Sequence, residues 1–251
     1  MAEQIGIIPI KGTMNNMTFY KSEDGIRVKL QSKVSKEKIK TSDSYERTRE
    51  NNSEFGTAGR AGKVLRNALA SIIGYSKDRR VVSRLLTVML KAVKADAINP
   101  RGKRNVLDGD LELLKGFDFN IKAELAKVLK APYTAVIDRV AGEMNIQVPP
   151  FMPAALLARQ PDATHFKLVS AGVELDFEQD VFSTKTFLSN FLPINNADTA
   201  PVDIVHQLPA NSMHPLFLVL GVQYYVETQG IKYPIKTSEV NALGIVKVSI
   251  A

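Results

Sequence analysis

Two apolar repeats with the period of an α-helix lie in the stretch AGKVLRNALASIIGYSKDRRVVSRLLTVMLKAV, residues 61–93. The first repeat stops just before Gly74, a residue type that commonly follows the last turn of a helix. The second begins at Val81, shortly after Asp78, whose carboxylate suits a helix N-terminus. Because the link between the repeats is short, the stretch predicts two helices packed as an antiparallel hairpin.

Strand patterns precede the helices. The segment MTFYKSEDGIRVKL, residues 17–30, has two runs with alternating apolar residues around an Asp-Gly pair. Glycine adopts positive φ without steric cost, so this pattern predicts a β-hairpin. The earlier run IGIIPI, residues 5–10, contains a proline and is typical of an edge strand.

The C-terminal half is dominated by short apolar runs separated by Pro, Gly, Asn and Asp. The runs are TAVIDR, MNIQV, HFKLVS, VELDF, VDIVHQ, LFLVLGVQYYVE and GIVKVSI. A turn is expected at Ala171-Gly172, between the third and fourth runs. This spacing favours an antiparallel, Greek-key β-sandwich. We therefore predict an α+β fold with an N-terminal β-hairpin and arm, a helical hairpin, and a C-terminal antiparallel β-sandwich. The predicted domains are residues 1–115 and 116–251.

Charge is distributed unevenly along the chain. The 251 residues carry a formal net charge of +7. Residues 1–104 contain 22 basic and 10 acidic residues, whereas the remainder contains 11 basic and 16 acidic residues. Such a split indicates either a polyanionic partner or association between basic and acidic surfaces of different copies.

The basic segment contains the candidate contact residues. On the second predicted helix, basic residues recur opposite the apolar stripe, and others lie in the polar segment 31–55. That segment has too few apolar residues to form a core and is interpreted as an arm, a linker or a surface helix. The candidates for contact with a partner or a polyanion are Arg47, Arg49, Arg80, Arg84, Lys91 and Lys94.

No motif indicates catalysis, a metal or a cofactor. The chain has no cysteine, and its three histidines lack metal-site spacing. FGTAGRAGKV lacks the first glycine and the Ser or Thr of a phosphate-binding loop. Its glycines at 56, 59 and 62 are therefore interpreted as a small-residue helix face that lets another backbone approach closely. The aspartates of DGDLE, residues 108–112, are interpreted as helix caps rather than as ligands of a calcium ion. The carboxylates at 174, 176 and 178 are interpreted as a solvated strand face rather than as the catalytic pair of a glycosidase. We therefore expect a protein that is not an enzyme and binds no cofactor.

Membrane insertion is not expected. The longest apolar stretch, residues 215–222, is far shorter than the roughly 20 residues that span a bilayer. The start MAEQIGIIPIKG lacks a basic segment and its apolar run is interrupted by Gly6 and Pro9, unlike a signal peptide. A cytoplasmic location is the expectation.

Together these patterns predict a structural or scaffold protein that forms homo-oligomers. Its basic N-terminal segment would bind an acidic surface of the β-sandwich in another copy. The edge strand at 5–10 and the arm at 31–55 are candidates for strand exchange. The alternative is a nucleic-acid-binding protein that places the same basic helical stripe on phosphates.

Several blocks of the chain are similar to a bacterial family of uncharacterised proteins of similar length. They are KGTMNNMTFYKSEDG (11–25), RTRENNSEFGTAGRAGK (47–63), RNVLDGDLELLKGF (104–117) and HPLFLVLGVQYYVE (214–227). The resemblance extends over nearly the whole chain and implies a bacterial, cytoplasmic protein. The family has no established activity, so the resemblance implies no catalytic or binding residue.

Overall fold

A computed structural model describes residues 2–3, 10–22, 25–30, 34–74, 76–236 and 240–250. The chain forms two compact units, residues 1–50 and 51–251. The fold is α+β with antiparallel sheets, as predicted. No helix among the described residues is both long and apolar enough to cross a membrane.

The first unit contains a small antiparallel sheet. Its strands are β1 (Ala2–Glu3), β2 (Gly12–Met14), β3 (Met17–Ser22) and β4 (Gly25–Leu30), in the order β1-β4-β3-β2. The predicted pairing of β3 with β4 is confirmed, and Phe19 lies opposite Val28. The turn residues 23–24 and the predicted edge strand up to residue 9 lie outside the described residues.

The polar segment that follows contains helices. Helix α1 (Lys36–Thr41) is capped by Ser35, whose hydroxyl accepts a hydrogen bond from the Lys38 backbone N–H. A 3-10 turn at 43–45 leads into α2 (Glu46–Ala68), which continues into the second unit. For residues 36–41 and 46–54, the surface-helix interpretation therefore matches the structure.

The predicted helical hairpin is present in the second unit. It consists of α2, the short α3 (Ala70–Ile73) and α4 (Val81–Lys94). Gly59 and Gly62 of α2 face side chains of α4, and a Cβ added at Gly62 would lie 3.6 Å from Leu85. The expected close approach of another backbone is wrong, because the neighbours at these two positions are side chains and Gly56 has no neighbour within 4 Å.

The rest of the second unit is mainly β-structure. The elements are a 3-10 turn at 111–114, α5 (Leu125–Val128), β5 (Thr134–Asp138), β6 (Glu143–Val148), α6 (Pro153–Leu156), β7 (His165–Asp176), β8 (Val181–Leu188), β9 (Leu192–Pro193), β10 (Val202–Gln207), β11 (Leu216–Thr228), β12 (Ile231–Pro234) and β13 (Ala242–Ser249). Strands β10, β6 and β5 form one sheet in that order, and the other six strands form a second sheet around β11 and β7.

Two apolar cores divide the second unit into three layers. The helices pack on one face of the six-stranded sheet, through residues such as Leu65, Leu85 and Val219. The other face of that sheet packs on the three-stranded sheet, through residues such as Leu218 and Ile146. The order is therefore helices, six-stranded sheet, three-stranded sheet. The boundary predicted between residues 115 and 116 concerns independent folding and stays a prediction.

The turn expected at Ala171-Gly172 is wrong, because both residues lie within the 12-residue strand β7. Because Gly172 has no Cβ, side chains of the three-stranded sheet can pack directly against its backbone. A Cβ added there would lie 2.8 Å from His206 Cβ and 3.0 Å from Met144 Sδ. The hairpin turn comes later, at 177–180, and leads into β8, a strand that the sequence pattern did not indicate.

The two edges of the large sheet differ. Residues 116–119 hydrogen bond to β13, with Gly116 N–H donating to the Ile245 carbonyl and Phe119 N–H to the Leu243 carbonyl. Strand β8 forms the opposite edge and pairs only with β7 among the described residues. One edge is thus covered at residues 243–245 of β13, and the edge at β8 is open.

Candidate interaction surfaces

The helical layer of the second unit, residues 51–96, has three acidic residues, and all three are buried. The Glu54 carboxylate accepts a hydrogen bond from the Gly102 N–H at 2.9 Å. Asp78 binds Arg84 and accepts from the Arg80 and Ile121 N–H groups. No carboxylate of this layer is therefore left to neutralise its surface.

Asp96 is the most extensively bonded of the three. Its carboxylate accepts hydrogen bonds from the Ile98, Asn99 and Asn105 N–H groups and from the Asn99 side chain. Burial would raise the pKa of Asp96, but these hydrogen bonds outweigh it and lower the pKa to about 2. The carboxylate holds the loop after α4 in place.

Basic side chains, in contrast, are mostly at the surface of the helical layer. Of its nine Lys and Arg residues, seven are exposed. We call these seven the cationic face: Arg60, Lys63, Lys77, Arg79, Arg80, Lys91 and Lys94. Arg60 lies 3.5 Å from the Asp180 carboxylate. The other six form no ion pair within the described part of the chain.

Arg80, Lys91 and Lys94 of the predicted contact set belong to the cationic face. Arg84 does not, because its guanidinium binds the Asp78 carboxylate and donates to the Asp118 carbonyl at 2.9 Å. It also lies 5.1 Å from the centre of the Phe117 ring. The helical period alone could not separate this arginine from its exposed neighbours.

Arg47 and Arg49 of the predicted set lie in the first unit. The Arg47 guanidinium forms an exposed ion pair with Glu50 at 2.9 Å. Arg49 donates to the carbonyls of Ile39 at 2.9 Å and Ser42 at 2.8 Å, at the end of α1. Arg49 thus stabilises the connection between α1 and α2.

The outer surface of the three-stranded sheet has the opposite charge. Its strands contain Asp138, Glu143 and Asp203 and no Lys or Arg. We call these three residues the acidic face. The exposed Val136 and Val205 lie in one cross-strand row between them. The layer order places the cationic and acidic faces on opposite sides of the unit.

A second group of carboxylates lies at the end of β7. Glu174, Asp176 and His214 line a cavity of about 340 Å³. Asp176 accepts from the Glu178 and Gln179 N–H groups, and these bonds lower its pKa. The Ser212 hydroxyl donates to Glu174. Asp176 thus stabilises the turn after β7, and Glu174 binds the loop that precedes β11. No group of three metal-binding side chains occurs among the residues described here.

The aspartates of DGDLE also have structural partners. Asp110 accepts from the Glu112 N–H at 3.1 Å and caps the 3-10 turn. Asp108 accepts from the side-chain amides of Asn99 and Asn105, each at 2.7 Å. The capping interpretation of Asp110 is therefore confirmed.

One buried polar pair lies between the two sheets. Ser170 and His206 are almost fully buried, and Ser170 Oγ lies 2.8 Å from His206 Nε2. The Ser170 hydroxyl donates its proton to the Val219 carbonyl at 2.7 Å. It must therefore accept from His206, so the imidazole carries a proton on Nε2.

In comparisons with known proteins, no family model matches the chain and no curated protein is significantly similar to it. The resemblance to a bacterial family stays a prediction. The two charged faces are the features of the structure that indicate a function.

Proposed function

We propose that this protein is a structural, self-associating protein without enzymatic activity. In the proposed homo-oligomer, the cationic face of one copy binds the acidic face of the next. The observation that supports this most is the opposite charge on opposite sides of one unit. The helical layer exposes seven basic residues and no acidic one, whereas the strands under the acidic face contain no basic residue.

This arrangement favours head-to-tail assembly. The two faces are different surfaces, so each contact would leave one cationic and one acidic face unoccupied at the ends. Such heterologous contacts produce rings if the rotation closes and open filaments if it does not.

The size of the acidic face predicts weak association. Three strands of five, six and six residues cover about 300 Å², from strand spacings of about 4.8 Å and rises of about 3.4 Å per residue. A standard specific interface buries about 800 Å² on each partner. Screening within about 10 Å at moderate salt should weaken the association further.

Charge exchange between the faces tests this proposal. The first variant combines Arg80→Glu, Lys91→Glu and Lys94→Glu, and the second combines Glu143→Lys and Asp203→Lys. Each variant alone should lose association in sedimentation velocity at low salt, because its charge attraction is removed. The first variant leaves four basic against three acidic residues on the cationic face, and the second leaves two basic residues against one acidic residue on the acidic face. A mixture should regain a contact between one copy of each variant, since the unchanged acidic face of the first variant meets the unchanged cationic face of the second. Undiminished association of either variant, or a mixture that stays dissociated, contradicts the proposal.

A matched control separates this effect from a change in net charge. The reversals Lys130→Glu, Arg159→Glu and Lys185→Glu change the net charge as much as the first variant does. All three residues are exposed and lie outside the helical layer. This control should associate as the native protein does. Circular dichroism should show native secondary structure in every variant.

Nucleic-acid binding is the second candidate. It is supported by the numerical excess of the cationic face over the acidic face, seven residues against three. Phosphate contacts by five or six of these residues would make binding fall steeply with salt. A native protein that is monomeric after nuclease treatment, and that retards DNA or RNA through the cationic face, would favour this candidate. Mixing the two charge variants should then restore nothing.

The proposal also includes a cytoplasmic location in a bacterium, and this part depends on the resemblance described above. Strand exchange through the segment 5–10 is a further part of it. Residues 5–9 are outside the described structure, so the charged faces support the proposal without them.

A further inference from the structure

A cavity of about 440 Å³ lies at one end of the helical layer, between α3 and the start of α4. Its volume is within the range of about 300–1,000 Å³ that is common for small-molecule sites. Its lining residues include Arg66, Asn67, Lys77, Arg79 and an apolar group. The cavity therefore combines positive charge with apolar surface.

The charges around this cavity are not balanced. Lys77 and Arg79 are exposed and form no ion pair with any described residue. Arg66 Nε donates to the Gly62 carbonyl at 3.1 Å, which fixes the guanidinium but adds no negative charge. Asp78 is the only acidic residue among the described lining residues, and it is already bound to Arg84 and to two backbone N–H groups.

The rest of the wall is apolar. Ala70, Ile73, Val81 and Val82 contribute to it, and Val82 is 50% exposed. Three cations without a free carboxylate suit a dianion, and arginine is especially suited to phosphate. An apolar wall beside them suits an organic group attached to that phosphate.

We propose that this cavity binds a phosphate monoester of a small organic molecule with an apolar or planar body. Arg66, Lys77 and Arg79 hold the phosphate, and Ile73, Val81 and Val82 contact the body. The Asn67 amide supplies a further hydrogen-bond donor. The same chemistry occurs at the 5′-phosphate of a nucleic acid, so the experiment must separate the two sources.

Phenyl phosphate is a suitable probe because it has both features. Titration of the full-length protein is followed by backbone amide NMR shifts. Saturable shifts should concentrate at residues 66–82. Inorganic phosphate should bind about tenfold or more weaker because it lacks the apolar body, a difference of about 1.4 kcal/mol or more. Absence of saturable shifts in this region, or inorganic phosphate binding as tightly, overturns the proposal.

Paired variants identify the binding residues. Lys77→Gln with Arg79→Gln should weaken phenyl phosphate binding about tenfold or more. Lys91→Gln with Lys94→Gln removes the same charge elsewhere on the cationic face and should change binding less than about twofold. All four side chains are exposed, so the fold should be retained. Equal effects of both pairs would indicate general charge attraction and overturn the proposal.

A 5′-phosphorylated oligonucleotide and its unphosphorylated counterpart distinguish the sources. If only the phosphorylated form competes with phenyl phosphate, nucleic acid is a source of the phosphate. If neither competes, the ligand is a free small molecule. Lys77 and Arg79 belong to the cationic face and also line the cavity, whereas Lys91 and Lys94 belong to that face and lie outside the lining. The two pairs of variants therefore separate ligand binding from self-association. Substitutions at Lys91 and Lys94 test assembly and leave the cavity intact.

Discussion

Acidification is expected to destabilise the second unit through His206. This residue lies between the two sheets, is 2% exposed and donates to Ser170. Burial lowers the pKa of His206 to about 4 from its ordinary value of 6.5. Burial disfavours the charged imidazolium, so folding holds this ring neutral.

The direction and size of the effect follow from proton linkage. Between the two pKa values the unfolded chain binds a proton that the folded chain does not. Stability contributed by the neutral ring is therefore complete above about pH 6.5 and is lost as the pH falls towards about 4. The loss is about 3 kcal/mol at about 1.4 kcal/mol per pH unit. The free energy of unfolding of a typical protein is about 5–15 kcal/mol, so this loss is a large fraction of it.

Urea unfolding followed by far-ultraviolet circular dichroism can measure this loss. The native chain and His206→Gln are compared from about pH 8 to about pH 4. Other titrating groups are common to both chains, so the difference between the two unfolding free energies isolates His206. We expect this difference to shift by about 3 kcal/mol against the native chain as the pH falls. Parallel stability curves would refute the reasoning.

Three further predictions concern packing and use the same unfolding measurement. Gly172→Ala should destabilise by about 1–3 kcal/mol because the added methyl overlaps the opposite sheet, and unchanged stability would contradict that packing. Gly56→Ala should stabilise by up to about 1 kcal/mol because α2 gains helix propensity and no atom lies within 4 Å of the new Cβ. Arg84→Leu should destabilise by about 3 kcal/mol because the buried Asp78 carboxylate loses its partner. A cost below about 1 kcal/mol would place this pair among solvated surface pairs instead.

Helix positions could be predicted from the sequence because their apolar stripes are long and regular. The stripe ending before Gly74 becomes α2 and α3, and the one beginning at Val81 becomes α4. The β3–β4 hairpin was equally accessible, since its turn chemistry and strand alternation agree. In these places local pattern and tertiary packing require the same structure.

The remaining features depend on contacts that are distant in sequence. Gly172 resembles a turn residue locally, but its role is to admit His206 from a strand more than 30 residues later. Arg84 has the spacing of a surface residue, yet Asp118 and Phe117 bind it inside the molecule. The cavity near Arg79 forms only when α3 and α4 pack, although its lining residues all lie between 66 and 82.

The open edge at β8 affects how copies of this protein could come together. Val181, Phe182 and Leu188 are all exposed on this strand and would favour addition of a foreign strand. Lys185 is also exposed and lies between them. Its charge disfavours pairing with an added strand, because pairing would remove water from the ammonium group. The large sheet thus has one edge covered at residues 243–245 and another edge with a charged residue near its middle, and both features disfavour strand addition at those places. In the proposed assembly, copies of the second unit would therefore meet through the outer surfaces of the layers rather than through the edge at β8.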